Sequence, residues 1–392
     1  MSSIPLALYV HMPWCVRKCP YCDFNSHQLK SARPDASYID ALLLDLERDA
    51  PRVWDRTIDT VFFGGGTPSL FPPAEFARFL KALRARLPLA QDAEITLEAN
   101  PGTIERGAFA GYADSGINRV SLGAQSFDAE VLKALGRIHS PEDTQRAVAE
   151  LRAAGIANFN LDLMYALPRQ SLESAREDVL TALELQPAHI SYYQLTLEPG
   201  TVFHSRPPPL PDEDAAWDIQ LMGQGLLQDA GFRQYEVSAY ARPDARCRHN
   251  LNYWLFGDYL GIGAGAHGKL TLQAPGQILR TVKPKQPRDY QERIQSGEVL
   301  GEESTVAPAQ LPFEFMLNAL RLNEGFGPGL FEERTGLPLE SVQSRLRAAQ
   351  QAGLLEPWEA GWRPTTLGRR FLNDLQAAFL DDAYTHRPVG PA

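Results

Sequence analysis

The stretch YVHMPWCVRKCPYCDFNSH, residues 9–27, contains three of the four cysteines of this 392-residue chain. The thiols stand at Cys15, Cys19 and Cys22, in the spacing C-x3-C-x2-C. Three is too many for one disulfide and one short of a structural zinc site, which takes four ligands. A cubane iron–sulfur cluster explains the count, because each of its four irons takes one external ligand and one iron can stay open to a small molecule.

A single zinc ion is the alternative use of these thiols. Its fourth ligand would then come from the same stretch, where His11, Asp23 and His27 are the candidates.

Composition and net charge indicate which broad classes of protein this chain can belong to. A hydrophobic content of 44% and a charged content of 22% are typical of soluble globular proteins. The net charge of −10 argues against broad binding to nucleic acid, which needs clustered Lys and Arg. The N-terminus MSSIPLALYV lacks the basic region of a signal peptide, and no apolar run approaches the roughly 18 residues that span a bilayer. We therefore expect a cytoplasmic protein whose clustered cysteines serve metal or redox chemistry.

The first half of the chain alternates between two patterns. Short apolar or β-branched runs end in Gly, Pro or polar residues, and the stretches between them repeat apolar residues at i, i+3, i+4 and i+7. Strands that alternate with helices form a parallel sheet, because parallel neighbours need a crossover connection. The fold class is therefore α/β. The predicted strands are 6–12, 60–69, 94–102, 117–126, 158–168 and 189–200.

Unusual residues stand at the carboxyl ends of these strands, the edge where barrels and open α/β sheets build their sites. FFGGGTPS, at 62–69, has glycines that let the backbone approach a ligand closely. Glu98 ends the third strand. Gln125 ends the fourth, and Arg137 follows twelve residues later. Asp162 lies in an otherwise apolar strand, where a carboxylate needs a partner.

The pattern changes after about residue 205. SRPPPLPDEDAAW is a Pro-rich connector, and a second section follows it. From about residue 307 the sequence predicts helices and then a hairpin, which resembles a winged helix. We expect this part to pack or dock rather than to bind DNA, since its Arg residues alternate with acids. The predicted parts are a core over 1–205, an extension over 206–306 and a smaller, mainly helical C-terminal domain over 307–392.

Taken in order, these motifs resemble the radical S-adenosylmethionine (SAM) superfamily. Over nearly the whole chain, the resemblance is to the branch that contains oxygen-independent coproporphyrinogen III dehydrogenase and heme chaperones. It implies a (β/α)6 partial TIM barrel with a smaller helical C-terminal domain. It also implies that the three cysteines ligate a [4Fe–4S] cluster. The implied SAM-binding residues are Tyr9, Tyr21, Gly65, Gly66, Thr67, Glu98, Gln125, Arg137, Asp162 and Thr196.

Two features distinguish the members of this branch. The dehydrogenase pattern has a further cysteine two positions after the third, where this chain has Phe24. The stretch HNLNYW, residues 249–254, resembles the HNxxYW motif of the chaperones. An imidazole can ligate heme iron, and aromatic rings offer flat faces to a porphyrin. The heme contacts implied by the motif are His249, Tyr253 and Trp254, and further candidates are Cys247 and His267.

The resemblance implies a heme chaperone that holds the cluster and SAM, binds heme as cargo, and passes it to acceptors such as respiratory enzymes. Reductive cleavage of SAM is the reaction of the superfamily. Heme transfer has no evident need for it, so cluster and SAM would instead control conformation or homodimerisation. Peripheral attachment to a membrane is compatible with this role. One alternative is an oxygen-independent coproporphyrinogen III oxidase, and a second is a zinc-binding regulator that uses the C-terminal part on DNA.

Overall fold

A large mixed sheet organises the chain in the computed structural model, which describes residues 4–29, 36–103, 108–272, 277–298, 301–359 and 361–380. The strands are β1 (Leu6–Met12), β2 (Trp14–Cys15), β3 (His27–Gln28), β4 (Ile58–Gly65), β5 (Leu89–Ala99), β6 (Arg119–Gln125), β7 (Phe159–Tyr165), β8 (His189–Gln194), β9 (Arg233–Glu236), β10 (Ala239–Ala241), β11 (Asp258–Ile262), β12 (His267–Thr271), β13 (Ile278–Val282), β14 (Glu302–Thr305), β15 (Leu355–Trp358) and β16 (Gly361–Pro364).

Helices connect and cover these strands. They are α1 (Ala36–Asp49), α2 (Pro73–Arg86), α3 (Ala108–Ser115), α4 (Ala129–Ala134), α5 (Pro141–Ala153), α6 (Leu172–Glu184), α7 (Val202–Ser205), α8 (Glu213–Asp229), α9 (Arg248–Trp254), α10 (Pro287–Ser296), α11 (Leu311–Ala319), α12 (Pro328–Thr335), α13 (Gln343–Gln351), α14 (Thr366–Arg370) and α15 (Leu372–Ala377). Among the residues described, no helix is long and apolar enough to cross a bilayer.

A run of parallel strands forms the centre of the sheet, in the order β1–β4–β5–β6–β7–β8. At least one helix lies between each successive pair along the chain. Both faces of the central strands are covered, which is why β1 is mostly apolar and is buried at six of its seven positions. Helix α5 begins with a capping box, in which Ser140 and Asp143 each accept a hydrogen bond from the other's backbone N–H. The predicted (β/α)6 arrangement is confirmed.

The sheet continues beyond this run on both sides. On one side β11 pairs parallel to β1, and β12, β13 and β14 follow in antiparallel order. On the other side β10 and β9 pair antiparallel to β8. The stretch predicted as an extension therefore adds six strands to the same sheet. The boundaries at 205/206 and 306/307 stay predictions.

The C-terminal part has a hydrophobic cluster of its own. Phe315, Phe331, Leu346 and Phe379 are buried in it, together with Phe256 from the section before. Helices α12 and α13 precede the antiparallel β15–β16 hairpin, which is the helix–hairpin order of a winged helix. The mainly helical C-terminal domain predicted from the sequence is thus confirmed.

Candidate cofactor site

The first cavity, of about 360 Å³, opens at the carboxyl ends of the central strands, under the cysteine loop. Its volume lies within the range of about 300–1,000 Å³ that small-molecule sites occupy. Most residues predicted to bind the cluster or SAM meet here. They are Cys15, Cys19, Cys22, Tyr21, Gly65, Gly66, Thr67, Glu98, Gln125, Arg137, Asp162 and Thr196.

Two of the three thiols contact a hydroxyl group. Thr67 Oγ1 donates to Cys15 Sγ at 3.4 Å, and Ser26 Oγ lies 3.7 Å from Cys22 Sγ. Burial raises the pKa of both Cys15 and Cys22, while the hydroxyl contacts act in the opposite direction. Hydroxyl donors favour the thiolate, which is the form that ligates metal.

Within the described ranges, no group of three or more His, Cys, Asp or Glu side chains is placed to hold one metal ion. The three thiols are therefore not a preformed single-ion site, although they line one cavity. A cubane distributes its external ligands over separate irons, so its thiolates lie farther apart than the ligands of one ion. Three half-buried thiols that line one cavity, two of them beside a hydroxyl group, fit a cluster that takes one thiolate at each of three irons.

The glycine loop at the end of β4 lies tightly against the start of the cysteine loop. The backbone N–H of Gly66 donates to Met12 O at 2.8 Å. A Cβ at Gly66 would stand 2.6 Å from the carbonyl oxygen of Trp14, and one at Gly65 would stand 2.5 Å from the ring of His11. Gly65 also has φ of +112°, which side chains other than glycine rarely adopt. Glycine is therefore required here for close backbone packing beside the cavity.

Two carboxylates line the first cavity, Glu98 from β5 and Asp162 from β7, the strands on either side of β6. Glu98 accepts a hydrogen bond from the backbone N–H of Gly65 at 3.0 Å. Burial, and then the charge of Asp162, raise the pKa of Glu98 to about 7. Asp162 accepts from Ser121 Oγ at 3.1 Å and from Asn160 Nδ2 at 2.7 Å, and burial raises its pKa as well. Desolvated acids of this kind are suited to bind hydroxyl groups or a cation.

Arg137 and Gln125 also line the first cavity. Arg137 donates to Gly123 O at 2.8 Å and lies 3.8 Å from Cys19 Sγ. Its Nε is buried and has no hydrogen-bond partner among the residues described, so it retains a donor. Gln125 has φ of +67° at a break in the β6–β7 register, and its Oε1 accepts from Tyr193 at 2.8 Å. Such strained backbone often marks a functional site.

Several residues that line this cavity were not predicted from the sequence. Tyr193, Ser121 and Glu198 all face it. Tyr193 alternates with buried Tyr192 along β8, so the period-2 pattern indicates that one of the two tyrosines points away from the helices. This alternation is the feature of the sequence from which a role of Tyr193 in the cavity could have been predicted.

The second cavity, of about 640 Å³, adjoins the first and shares Gly65 and Glu98 with it. Tyr9 faces this second cavity, and its hydroxyl is 2.9 Å from Nδ1 of His11. Tyr253 and His267 also line it. The structure thus places Tyr9 outside the first cavity but beside Gly65 and Glu98, which line both cavities, and also beside two candidate heme contacts.

His249 of the HNLNYW stretch is buried, with 1% of its surface exposed, and it lines neither of the two cavities. Its Nδ1 is 2.8 Å from Thr60 Oγ1, and its Nε2 is 3.0 Å from the hydroxyl of Tyr253. The ring stacks on Phe62 at 5.0 Å, and burial lowers its pKa to about 3. Ligation of heme iron by His249 stays a prediction, and it would require one of these hydrogen bonds to break.

The residues next to His249 in the chain also make polar contacts. The backbone N–H groups of Arg248 and His249 and the thiol of Cys247 all contact the carboxylate of Glu94. Burial raises the pKa of the Cys247 thiol to about 12, which keeps it protonated. Trp254 lies under the guanidinium of Arg321, at 4.2 Å. Helix α9 and the residue before it thus contact the middle of β5 through Glu94 and the C-terminal part through Arg321.

Comparison with known proteins agrees with the fold. Residues 9–182 match the Radical SAM superfamily, and residues 306–371 match the HemN C-terminal domain. The chain is 50% identical over 376 residues to the heme chaperone HemW of Escherichia coli, covering 96% of this chain and 98% of that one. The chain belongs to the HemW family.

Other relatives extend this result. The chain is 40% identical over 404 residues to the mouse mitochondrial protein radical S-adenosyl methionine domain-containing protein 1, covering 100% of this chain and 91% of that one. The structure of coproporphyrinogen III oxidase (HemN) from Escherichia coli, described as a radical SAM enzyme, matches with a TM-score of 0.81 at 25% identity. That match covers 97% of this chain and 91% of the HemN chain, so this chain shares the fold of HemN along nearly its whole length.

Proposed function

We propose that this protein is a cytoplasmic heme chaperone that holds a [4Fe–4S] cluster and SAM, binds heme, and passes heme to acceptor proteins such as respiratory enzymes. The observation that carries the proposal is the full-length identity of 50% to a heme chaperone. The first cavity supports it, because thiols, glycine backbone, carboxylates and a guanidinium converge there.

Cys15, Cys19 and Cys22 would hold the cluster, and the first cavity would hold SAM. Thr67 and Ser26 would stabilise the thiolates of Cys15 and Cys22 through the hydroxyl contacts described above. When bound, the cluster supplies an open iron that can take the amino-acid end of SAM and, once reduced, an electron.

The remaining lining residues would orient SAM in the first cavity. Gly66 and Thr67 would place backbone against its amino-acid end, and Arg137 would offer its unpaired Nε to a carboxylate. Glu98 and Asp162 would accept hydrogen bonds from hydroxyl or ammonium groups. Tyr21, Gln125 and Thr196 complete the set by their position around the cavity.

The test is a heme titration of anaerobically reconstituted protein, with and without SAM, in which 5′-deoxyadenosine release is measured in the same samples. We expect stoichiometric heme binding, transfer to an apo acceptor, and little SAM turnover. A protein that binds no heme under these conditions would contradict the proposal. Gel filtration of each state tests homodimerisation, and flotation with vesicles tests membrane attachment.

A second candidate function is oxygen-independent coproporphyrinogen III oxidation, favoured by the TM-score of 0.81 to HemN. Phe24 speaks against it, because it stands where the dehydrogenase pattern has a cysteine. Its ring is 58% exposed at the mouth of both cavities, so this position is filled by an apolar surface here. Incubation with coproporphyrinogen III, SAM and reductant decides between the two, since protoporphyrinogen formation would establish the oxidase.

A further inference from the structure

The second cavity has walls suited to a flat aromatic ligand. Tyr9, Tyr253 and Tyr259 line it on one side, and Tyr253 and Tyr259 meet edge to face at 4.6 Å. Phe24 lines its mouth with a largely exposed ring. At about 640 Å³ the cavity is larger than the one under the cysteine loop. Aromatic rings with polar edges are the side chains that pack against large amphipathic planes.

Three histidines line this cavity, and they differ in what their ring nitrogens contact. His11 is buried, with Nδ1 at the hydroxyl of Tyr9 and Nε2 at 2.9 Å from Asn25 O. His27 has Nε2 at 3.2 Å from Asn25 Oδ1 and a further hydrogen bond to the backbone of Lys285.

His267 is different from both. It is exposed at the start of β12, and its ring has no hydrogen-bond partner within the part of the chain that the structure describes. An imidazole that faces a cavity with free nitrogens is the form that ligates metal. His249, by contrast, has both nitrogens engaged and no exposed edge.

Charged groups are placed around the same cavity. Lys18 donates to Phe24 O at 3.0 Å and to Ser26 O at 3.3 Å, which holds its ammonium at the rim. Lys285 lines the rim as well and is exposed. The acidic groups are Asp23, also at the rim, and Glu98 on the wall shared with the first cavity. Two ammonium groups at a rim are suited to pair with two carboxylates of a ligand.

We propose that the second cavity is the heme site, with the imidazole of His267 as axial ligand of the iron and with Lys285 and Lys18 beside the propionates. This rests on the proposed chaperone function and names the site at which it is performed. Tyr253 would then contribute its ring to the heme pocket. His249 would act as a positioning residue, since it holds the hydroxyl of Tyr253 at 3.0 Å.

The test uses hemin titration of the reconstituted full-length protein, followed by its Soret band and by electron paramagnetic resonance. The variants are His267→Ala, His267→Met and, as a matched control, His204→Ala. His204 is an exposed histidine that lines neither cavity. Circular dichroism and melting temperature establish that each variant is folded. If His267→Ala fails to fold, His267→Met decides, because a thioether ligand changes the spectrum of bound heme without emptying the position.

We expect His267→Ala to weaken hemin binding by about tenfold or more and to lose the Soret and electron paramagnetic resonance signature of imidazole-ligated heme, which free imidazole should restore. His204→Ala should behave as wild type. Unchanged affinity and spectra in both His267 variants would overturn this site and leave the chaperone function standing. Absence of hemin binding by the wild-type protein would instead contradict the proposed function itself.

The propionate contacts are tested by a second comparison. Wild type and Lys285→Ala are titrated with hemin and with hemin whose propionates are esterified. Lys285 is chosen because Lys18 also supports the cysteine loop through two carbonyl groups. Wild type should prefer the free acid by up to about fivefold, the range of an exposed ion pair, and Lys285→Ala should reduce that preference. An identical preference in both proteins would remove Lys285 from the site.

Discussion

The backbone N–H of Gly65 donates to Oε2 of Glu98 across 3.0 Å, and these two residues together form the wall between the two cavities. The bond joins the ends of β4 and β5, where a glycine loop meets a desolvated carboxylate. Any ligand of the first cavity that contacts Glu98 is therefore one side chain away from the second cavity.

Replacing Glu98 by Gln should change how stability depends on pH. Burial raises the pKa of Glu98 to about 7, above its ordinary value of 4.5, so the folded state binds more protons than the unfolded state between these values. The wild type should lose on the order of 1–3 kcal/mol as pH rises from 4.5 to 7. Glu98→Gln should lack that loss, because glutamine can accept from Gly65 without carrying charge.

Urea unfolding of the cofactor-free protein at pH 5 and pH 8 measures this effect. Glu198→Gln, at the rim of the same cavity, is the matched control. If the free energy of unfolding changed equally between pH 5 and pH 8 in wild type and in Glu98→Gln, the pH dependence could not come from Glu98.

Replacing Gly66 by Ala should weaken SAM binding as well as destabilise the fold. The new Cβ would stand 2.6 Å from the carbonyl oxygen of Trp14, so the loop has to move away from the cysteine stretch. We expect a cost of about 1–3 kcal/mol in stability and a SAM affinity reduced by about tenfold. Calorimetry on reconstituted protein measures the affinity.

Gly225→Ala is the control for the glycine prediction, since a Cβ at this position in α8 meets nothing within 4 Å. It should be neutral or stabilising by up to about 1 kcal/mol. If Gly66→Ala bound SAM as tightly as the wild-type protein does, the glycine loop would not contact SAM.

Replacing Cys15, Cys19 and Cys22 together by Ala should abolish the cluster and leave the fold, because the core consists of the βα units rather than of the loop. Iron and sulfide analysis should fall from about four per chain to none, while circular dichroism stays the same. Cys247→Ala should retain iron and sulfide. Retention of both in the triple variant would refute the ligand assignment.

Replacing His249 by Phe should destabilise the protein by about 2–4 kcal/mol, since the hydroxyls of Thr60 and Tyr253 would each lose a buried partner. The pKa of about 3 lies below the ordinary value of 6.5, so the wild-type histidine costs stability as pH falls through this interval. The variant should therefore show a shallower loss of stability in acid. Denaturant unfolding at pH 4 and pH 7 measures both effects, and unchanged stability at pH 7 would be evidence that His249 is not held as described.

Much of the site could be predicted because the residues that form it stand at repeated positions in the chain. Gly66, Glu98 and Gln125 each occur at or next to the carboxyl end of a parallel strand, and such ends meet at one edge. Asp162 lies in the middle of β7, where a carboxylate in an apolar strand was the signal. The contribution of Tyr193 was missed, since either of two adjacent tyrosines on a strand can face the cavity. Which of them does so depends on how β8 pairs with its neighbours.

The sequence by itself determined the cysteine spacing, the alternation of strands and helices and the family, because these depend on residues close together in the chain. Only the tertiary structure decided that β11 pairs with β1 and carries the following strands onto the same sheet. It also decided that His249 is buried while His267 faces a cavity. Burial and hydrogen-bond partners depend on segments that are distant in the chain, as Thr60 and His249 are, and no local pattern records such contacts.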